Sequence, residues 1–346
     1  MRKIILSISL LFINFSITGA ETYLPAQLLM LDDTFSHHVV IAEKSTHSLY
    51  LFKNENGTPT LVSKYPMATG KKAGDKFYQG DHRTPEGVYS FTDFLTHQDL
   101  LDRHGKQGQI YGVGAFVMNY PNPIDKRNGK TGGGIWLHST NDETRIDKGL
   151  DSRGCVVATN SNLIDLSKFI ELNRTPMVVV QNLSYLEKTA WLTQRTNLND
   201  ALGQWLEGWQ TENKKLYFNS YHRTEFFDKF RGNFDNFKVY KSAVFNNPGN
   251  PKIRIENVSI LKAKDYAVIS FKQIYNSNTV NDIGRKSLYL KQDEFYNWKI
   301  VNETWTKSGI KKEDEEKVAF QPSMRFFKNN DPASILGADF VKRESN

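Results

Sequence analysis

The stretch Gly132–Val157, read GGGIWLHSTNDETRIDKGLDSRGCVV, constrains this chain more than any other. It holds the single cysteine, Cys155, and a histidine seventeen positions earlier, His138. Gly133-Gly134 lead into the apolar run Ile135-Trp136-Leu137, and His138 ends that run. The charged stretch from Thr140 to Asp151 reads as a loop. Ser152-Arg153-Gly154 then makes a tight turn into the β-branched pair Val156-Val157. The pattern predicts strand, loop, strand, with His and Cys where the loop meets the two strands. Side chains at such junctions are held by a rigid scaffold yet face solvent, which suits catalysis. A thiol there can attack a carbonyl carbon while an imidazole takes its proton. Glycine beside it lets the backbone approach a substrate and aim N–H groups at an oxyanion. A buried structural cysteine and a satisfied loop histidine fit the same spacing equally well, so the pair alone does not decide.

Compartment bears on that choice. Arg2-Lys3, the apolar run Ile4 to Ile17, and the small residues Thr18-Gly19-Ala20 form the three regions of a secretory signal peptide, placing the rest in the periplasm. No later stretch approaches the roughly 20 apolar residues of a membrane-spanning helix. A lone cysteine in an exported chain has no internal disulfide partner, so a reactive thiol is favoured. The net charge of +7 suits an acidic cell-envelope surface, and export excludes nucleic acid as a partner.

At 346 residues the chain is long enough for two domains. Residues 21–36 form a leader, read as an amphipathic segment that packs on the main domain or on a partner chain. Strands are predicted at VVIA (39–42), SLYLF (48–52) and Thr60 to Tyr65, in a meander turned by Asn54-Glu55-Asn56-Gly57. MATGKK (67–72) and GDHRTPEG (80–87) are loops, the second fixed by Pro85 and Gly87 and carrying His82 and Arg83. Further strands follow at VYSFTDF (88–94), FVMNY (116–120) and MVVV (177–180). Between the last two, apolar residues from Leu163 to Leu172 recur at helical spacing, with Ser161 as N-cap. His37, His38 and His47 show no ligand spacing and are read as surface residues, and no metal or other cofactor is implied.

These segments, in this order, resemble the L,D-transpeptidase (YkuD) catalytic domain over residues 39–182: VVIAEKSTHSLYLF, YPMATGKK, RTPEGVYSF, FVMNYPNP, GIWLHST and SRGCVV. The family motif places a second histidine where Arg153 stands, so His138 is the base candidate within the motif. GDHRTPEG and SRGC are most similar to the subgroup that cleaves, rather than cross-links, peptidoglycan stem peptides. The resemblance implies a mainly β catalytic domain, a YkuD-like β-sandwich, over residues 37–182. It implies Cys155 as nucleophile, His138 as base and Ser139 as the residue that orients the imidazole. It implies Gly154 and Cys155 as oxyanion-hole donors. Arg153 and Arg83 are candidates for binding an anionic part of the substrate, with an exposed loop arginine the alternative for Arg153; Tyr120 and Trp136 are candidates for the site walls, with core packing the favoured alternative for both.

Beyond a linker helix at 183–200, apolar residues from Leu202 to Tyr221 predict helix, and an aromatic series continues through Phe226, Phe227, Phe230, Phe234 and Phe237. That series is read as helix packing. Strands are predicted at 238–245, 253–261, 266–275, 285–292 and 298–306. Helices followed by strands give a smaller α+β domain over 201–310, similar to the NTF2-like domain of helical-cell-shape L,D-carboxypeptidases, and then a tail, 311–346. A homodimer or an envelope-protein partner would engage through the N-terminal segment or this domain. The expected function is a periplasmic L,D-carboxypeptidase that trims tetrapeptide stems and affects cell shape. Transpeptidation, release of a wall-linked lipoprotein, and a non-catalytic wall-binding scaffold are the alternatives.

Overall fold

The computed structural model describes residues 22–247, 249–310 and 320–337. The signal-peptide segment and the charge run Lys311 to Lys317 lie outside the described residues. Eight strands build one sheet in the spatial order Val156–Val157, Trp136–His138, Gly114–Met118, Gly87–Thr96, Pro176–Val180, His38–Glu43, Ser48–Glu55, Thr58–Pro66. A second sheet of five runs Trp298–Thr306, Asn281–Gln292, Tyr266–Asn276, Lys252–Ala263, Leu28–Met30.

The apolar runs VVIA and MVVV explain how the two sheets meet. Side chains alternate faces along a strand, so a continuous apolar run must be covered on both sides. Val40, Ala42, Met177 and Val179 face a core shared with Leu163, Ile164 and Leu166 of the helix Asn160–Ser167. Val39, Ile41, Val178 and Val180 face the opposite way, against Leu261, Ala263, Val268 and Val301 of the second sheet. The other face of that second sheet, through Ile260, Ile269, Phe271 and Leu288, packs on Trp191, Leu198 and Trp205 of the helix Lys188–Gln210. The result is four layers: helix, sheet, sheet, helices. Tyr266 fastens the middle, its hydroxyl accepting from Val88 N–H at 2.8 Å and from Asn122 Nδ2 at 3.0 Å.

Several sequence expectations change here. The leader packs within the molecule, one of the two places expected for it, but as strands: Leu28–Met30 is the edge strand of the second sheet, and Tyr23–Pro25 pairs with Tyr185–Glu187. There is no linker helix ending at residue 200, because Lys188–Gln210 is continuous. Residues 238–245 are not a strand but the C-terminal part of the helix Phe234–Phe245, capped by Asn233. Its β-branched and aromatic residues mimic a strand, but the Asn cap and the helical spacing of Phe234, Phe237 and Phe245, three and then eight positions apart on the core side, win. Phe226, Phe234 and Phe237 are core, whereas Phe227 and Phe230 are exposed around a β-hairpin.

His37 and His38 are buried, not superficial. Their Nδ1 atoms lie 2.7 Å apart, and His37 Nε2 meets Glu171 at 3.2 Å. Phe320, from the C-terminal segment, stacks on His37 at 3.6 Å. Burial lowers both imidazole pKa values, against Glu171 in the case of His37, and takes that of His38 to about 3, where His37 adds repulsion. The unfolded chain titrates these rings near 6.5, so below that pH it takes up protons the folded chain refuses. Stability is therefore expected to fall as pH drops from about 7 to 5, by about 2 kcal/mol for His38 alone. Thermal unfolding across that range checks this; His38→Gln should flatten the dependence, and a constant Tm in the parent protein would refute it.

Among the described residues, no helix is long and apolar enough to cross a membrane, and no cluster of three His, Cys, Asp or Glu side chains is placed to hold a metal.

Candidate active site

Two short parallel strands set the chemistry. Val157 pairs with His138, and Val156 with Leu137. Because faces alternate, Cys155, two residues before Val157, is directed to the face that carries His138. Both side chains line a cavity of about 210 Å³, together with Tyr111, Arg145, Arg153 and Lys71. This pocket is smaller than the roughly 300–1,000 Å³ of sites that engulf a drug-sized ligand.

The imidazole has one free nitrogen by construction. His138 Nδ1 donates to the Ser139 carbonyl at 2.5 Å, so Nε2 is left as the proton acceptor. Ser139 thus acts on the ring through its backbone. Its hydroxyl does something else: it accepts from Val113 N–H at 2.8 Å and donates to the Tyr111 carbonyl at 3.2 Å, tying the 111–113 loop behind the histidine. Asn160 reinforces the tie, donating to the Thr140 carbonyl at 2.9 Å and accepting from Val113 N–H at 3.2 Å. Tyr111 then stands edge-on to His138, ring centroids 4.9 Å apart. Burial pulls the His138 pKa down to about 4, against the Ser139 carbonyl, which favours the charged form.

Cys155 is half-buried, its thiol donating to the Gly134 carbonyl at 3.5 Å. Burial pushes the thiol up to about 11, opposed by a Trp136 N–H and by the positive charge of Arg153 and Arg145. Both groups that line the cavity therefore rest neutral near pH 7, a thiol and an imidazole.

The turn before the cysteine is held from both sides. Ser152 Oγ accepts from Gly154 N–H at 3.0 Å and donates to the Cys155 carbonyl at 2.6 Å. This differs from the expected oxyanion hole: Gly154 N–H is already engaged within the turn, which shifts that role to the N–H of Cys155. Gly154 has φ of 128°, and a Cβ there would lie 2.8 Å from the Arg83 carbonyl. Gly154→Ala is accordingly expected to displace the cysteine and cut kcat by about 10²-fold or more, since misplacement of about 1 Å costs that much. Steady-state kinetics with a parallel melting curve would check it; normal kcat would refute the packing argument.

The loop backing the turn is rigid. Asp81 is buried with Lys76 at 2.8 Å and accepts N–H groups from Phe77, Tyr78 and Arg83. Burial raises its pKa, but these donors overcome that and hold it at about 2.

The candidate residues separate into three groups. Cys155, His138 and Arg153 share the cavity. Trp136 lies beside it, packing on Tyr111 at 5.0 Å, and is one wall further out than expected. Arg83 and Tyr120 are elsewhere. Arg83 offers its carbonyl to the turn, while its guanidinium lies towards Gly74. Tyr120 belongs to the core, its hydroxyl bonded to the Thr131 carbonyl at 3.1 Å. His82 takes a turn conformation, φ 58°, and its carbonyl receives Lys72 N–H at 3.1 Å. Tyr111 and Arg145 were not anticipated. Arg145 pairs with Asp151 and reaches Thr140 Oγ1 at 3.1 Å. Both lie in polar loops whose composition carries no signal of chemistry; their role comes from being folded back on His138.

A family model, the L,D-transpeptidase catalytic domain (YkuD), matches residues 37–180. Residues 37–180 are an L,D-transpeptidase catalytic domain. The Cds6 C-terminal NTF2-like domain matches residues 197–304. The chain thus joins a domain of the L,D-transpeptidase catalytic family, which supports a cysteine-dependent enzyme acting on peptidoglycan peptides, to an NTF2-like domain. Among solved structures, Bd1075 of Bdellovibrio bacteriovorus aligns at 29% identity, covering 83% of this chain and 99% of that one, with TM-score 0.69. The helical cell shape determining protein Pgp2 from Campylobacter jejuni aligns at 25% identity, covering 80% of this chain and 95% of that one, with TM-score 0.63. No curated protein sequence matches the chain.

Proposed function

We propose that this L,D-transpeptidase-family enzyme works in the periplasm as an L,D-carboxypeptidase, removing the terminal D-alanine from tetrapeptide stems, and that it thereby affects cell shape. The observation that carries this reading is the small cationic cavity around Cys155 and His138. It suits the end of a peptide with a free carboxylate. Arg153 has no acidic partner among the described residues and can engage that carboxylate through paired N–H groups. The similarity to Pgp2, a cell-shape determinant, supports the wider role.

In the reaction, Cys155 Sγ bonds to the carbonyl carbon preceding the terminal D-alanine as its proton passes to His138 Nε2. The oxyanion forms against Cys155 N–H, a donor of a kind worth roughly 10²–10³ in rate. On collapse the C–N bond breaks, His138 returns the proton to the leaving amine, and free D-alanine departs. Water then attacks the thioester with His138 as base, releasing the tripeptide acid and restoring the thiol.

Competition for the acyl-enzyme tests the choice. With tetrapeptide stems and an excess of a labelled D-amino acid, the tripeptide should dominate over the exchanged tetrapeptide. Predominant label incorporation would assign the enzyme to transpeptidation instead.

A further inference from the structure

Two members of the aromatic series, Phe227 and Phe230, are exposed on a hairpin of the NTF2-like domain. Phe227–Asp228 pairs with Gly232–Asn233 in a hairpin whose tip is Lys229-Phe230-Arg231. Phe230 is 80% exposed, with nothing but Lys229 above its ring. Beside the tip, the helix Phe234–Phe245 buries Phe234, Phe237 and Phe245. At 100° per residue its opposite side therefore carries Val239 and Ala243, with Tyr240 and Val244 on one flank. Val239 is 73% exposed. Arg231 lies 4.0 Å over the Tyr240 ring, so tip and helix form one continuous surface.

On the other flank the surface becomes a basic groove of about 850 Å³, lined by Lys214, Lys215, Arg223 and Lys238. Two of the nearby carboxylates are spent internally. Asp228 accepts the N–H groups of Phe230 and Arg231, and Glu225 pairs with Lys291 at 3.2 Å; Asp235, in the first turn of its helix, is the one carboxylate lining the groove, against four cations. An apolar ridge with an aromatic tip, bordered by unpaired cations, is complementary to one kind of partner: an apolar layer beneath a negative surface.

We propose that the hairpin tip and the outer face of the helix Phe234–Phe245 dock the protein on a lipid bilayer bearing anionic headgroups. Phe230 and Val239 enter the interface, while Lys215, Lys229 and Lys238 meet the headgroup phosphates. The layered core makes the domains one unit, and Arg127 of the catalytic domain reaches Glu225 at 3.6 Å and the Thr224 carbonyl at 3.3 Å. Docking would therefore fix the orientation of the catalytic cavity above the bilayer.

The test is co-sedimentation of the full chain with vesicles of phosphatidylcholine alone or of equal parts phosphatidylcholine and phosphatidylglycerol. Binding is expected only to the second, weakening as salt rises. The triple variant Lys215→Gln, Lys229→Gln, Lys238→Gln should weaken it about a hundredfold, at about fivefold per basic residue. Phe230→Ser should weaken it at unchanged charge. All these positions lie outside the catalytic machinery, so turnover of a soluble substrate should stay at the parent value and report folding. No sedimentation with anionic vesicles at low salt, or sedimentation indifferent to both variants, would overturn the proposal. So would light scattering showing a dimer that Val239→Asp dissociates, in a protein that does not bind vesicles, because the face would then be covered by a second copy.

Discussion

Cys155→Ala is expected to lower kcat by about 10⁵-fold or more, to the level that binding and the remaining donors sustain without a nucleophile. Cys155 is half-buried, and its sulfur makes weak hydrogen bonds with the Gly134 carbonyl and the Trp136 N–H, so the melting temperature should hardly move. Cys155→Ser keeps the shape and the hydrogen bond but offers an oxygen where His138 can no longer draw on a polarisable sulfur, and it too should lie orders of magnitude below the parent. Steady-state assays with stem peptides, beside melting curves for each variant, separate loss of chemistry from loss of fold. Activity surviving Cys155→Ala would leave the NTF2-like domain as the working part and reduce the catalytic domain to a scaffold.

His138→Gln should cost about 10²–10⁴-fold in kcat, the usual worth of a positioned general base. The accompanying pH profile is more specific. In the free enzyme burial holds the His138 pKa at about 4 and the Cys155 thiol at about 11. Catalysis needs a neutral imidazole and a neutral thiol. kcat/KM should therefore be flat through neutrality, fall on the acid side near about pH 4 as His138 is protonated, and fall on the alkaline side only near about pH 11 as the thiol ionises. A solvent-exposed histidine would put the acid limb near 6.5. An acid limb at that ordinary value would show that His138 is not sealed behind Tyr111 and the Ser139 carbonyl in the free enzyme. Acid unfolding, driven by His37 and His38, must be followed separately over the same range.

Much of this was legible because strand order in the catalytic domain is carried by local pattern. VVIA and MVVV read as buried strands, and the structure supplies the reason they are apolar on both faces: a helix covers one side and the second sheet the other. What was not legible depends on partners distant in sequence. His37 and His38 look superficial until Glu171 and Phe320 close over them. Tyr120 looks like a site wall until its hydroxyl is seen bonded to the Thr131 carbonyl. The leader's strand was hidden because three residues, Leu28–Met30, are too short to announce a pairing that lies some 230 positions away, at Ile260-Leu261. The helix Phe234–Phe245 was misread from residue 238 because Lys-Val-Tyr and Ala-Val-Phe satisfy strand preferences locally, and only the buried phenylalanines set the period.

Within the site, Cys155, His138 and Ser139 were readable from the motif, which left open whether the carbonyl or the side chain of Ser139 orients the imidazole. Its carbonyl, rather than its hydroxyl, orients the imidazole, and the hydroxyl braces the loop that brings Tyr111 to the histidine. Arg145 was invisible for the same reason: a loop arginine becomes part of a cavity only once Asp151 and Thr140 fix its direction.

The most direct measurement is incubation of the protein with purified tetrapeptide muropeptides, with Cys155→Ala in parallel, read by mass spectrometry. The account predicts loss of one alanine residue from the stem, with free D-alanine released in equal amount, and neither product in the variant. Intact tetrapeptide after exhaustive incubation with the parent protein, or alanine release that persists without Cys155, would contradict it.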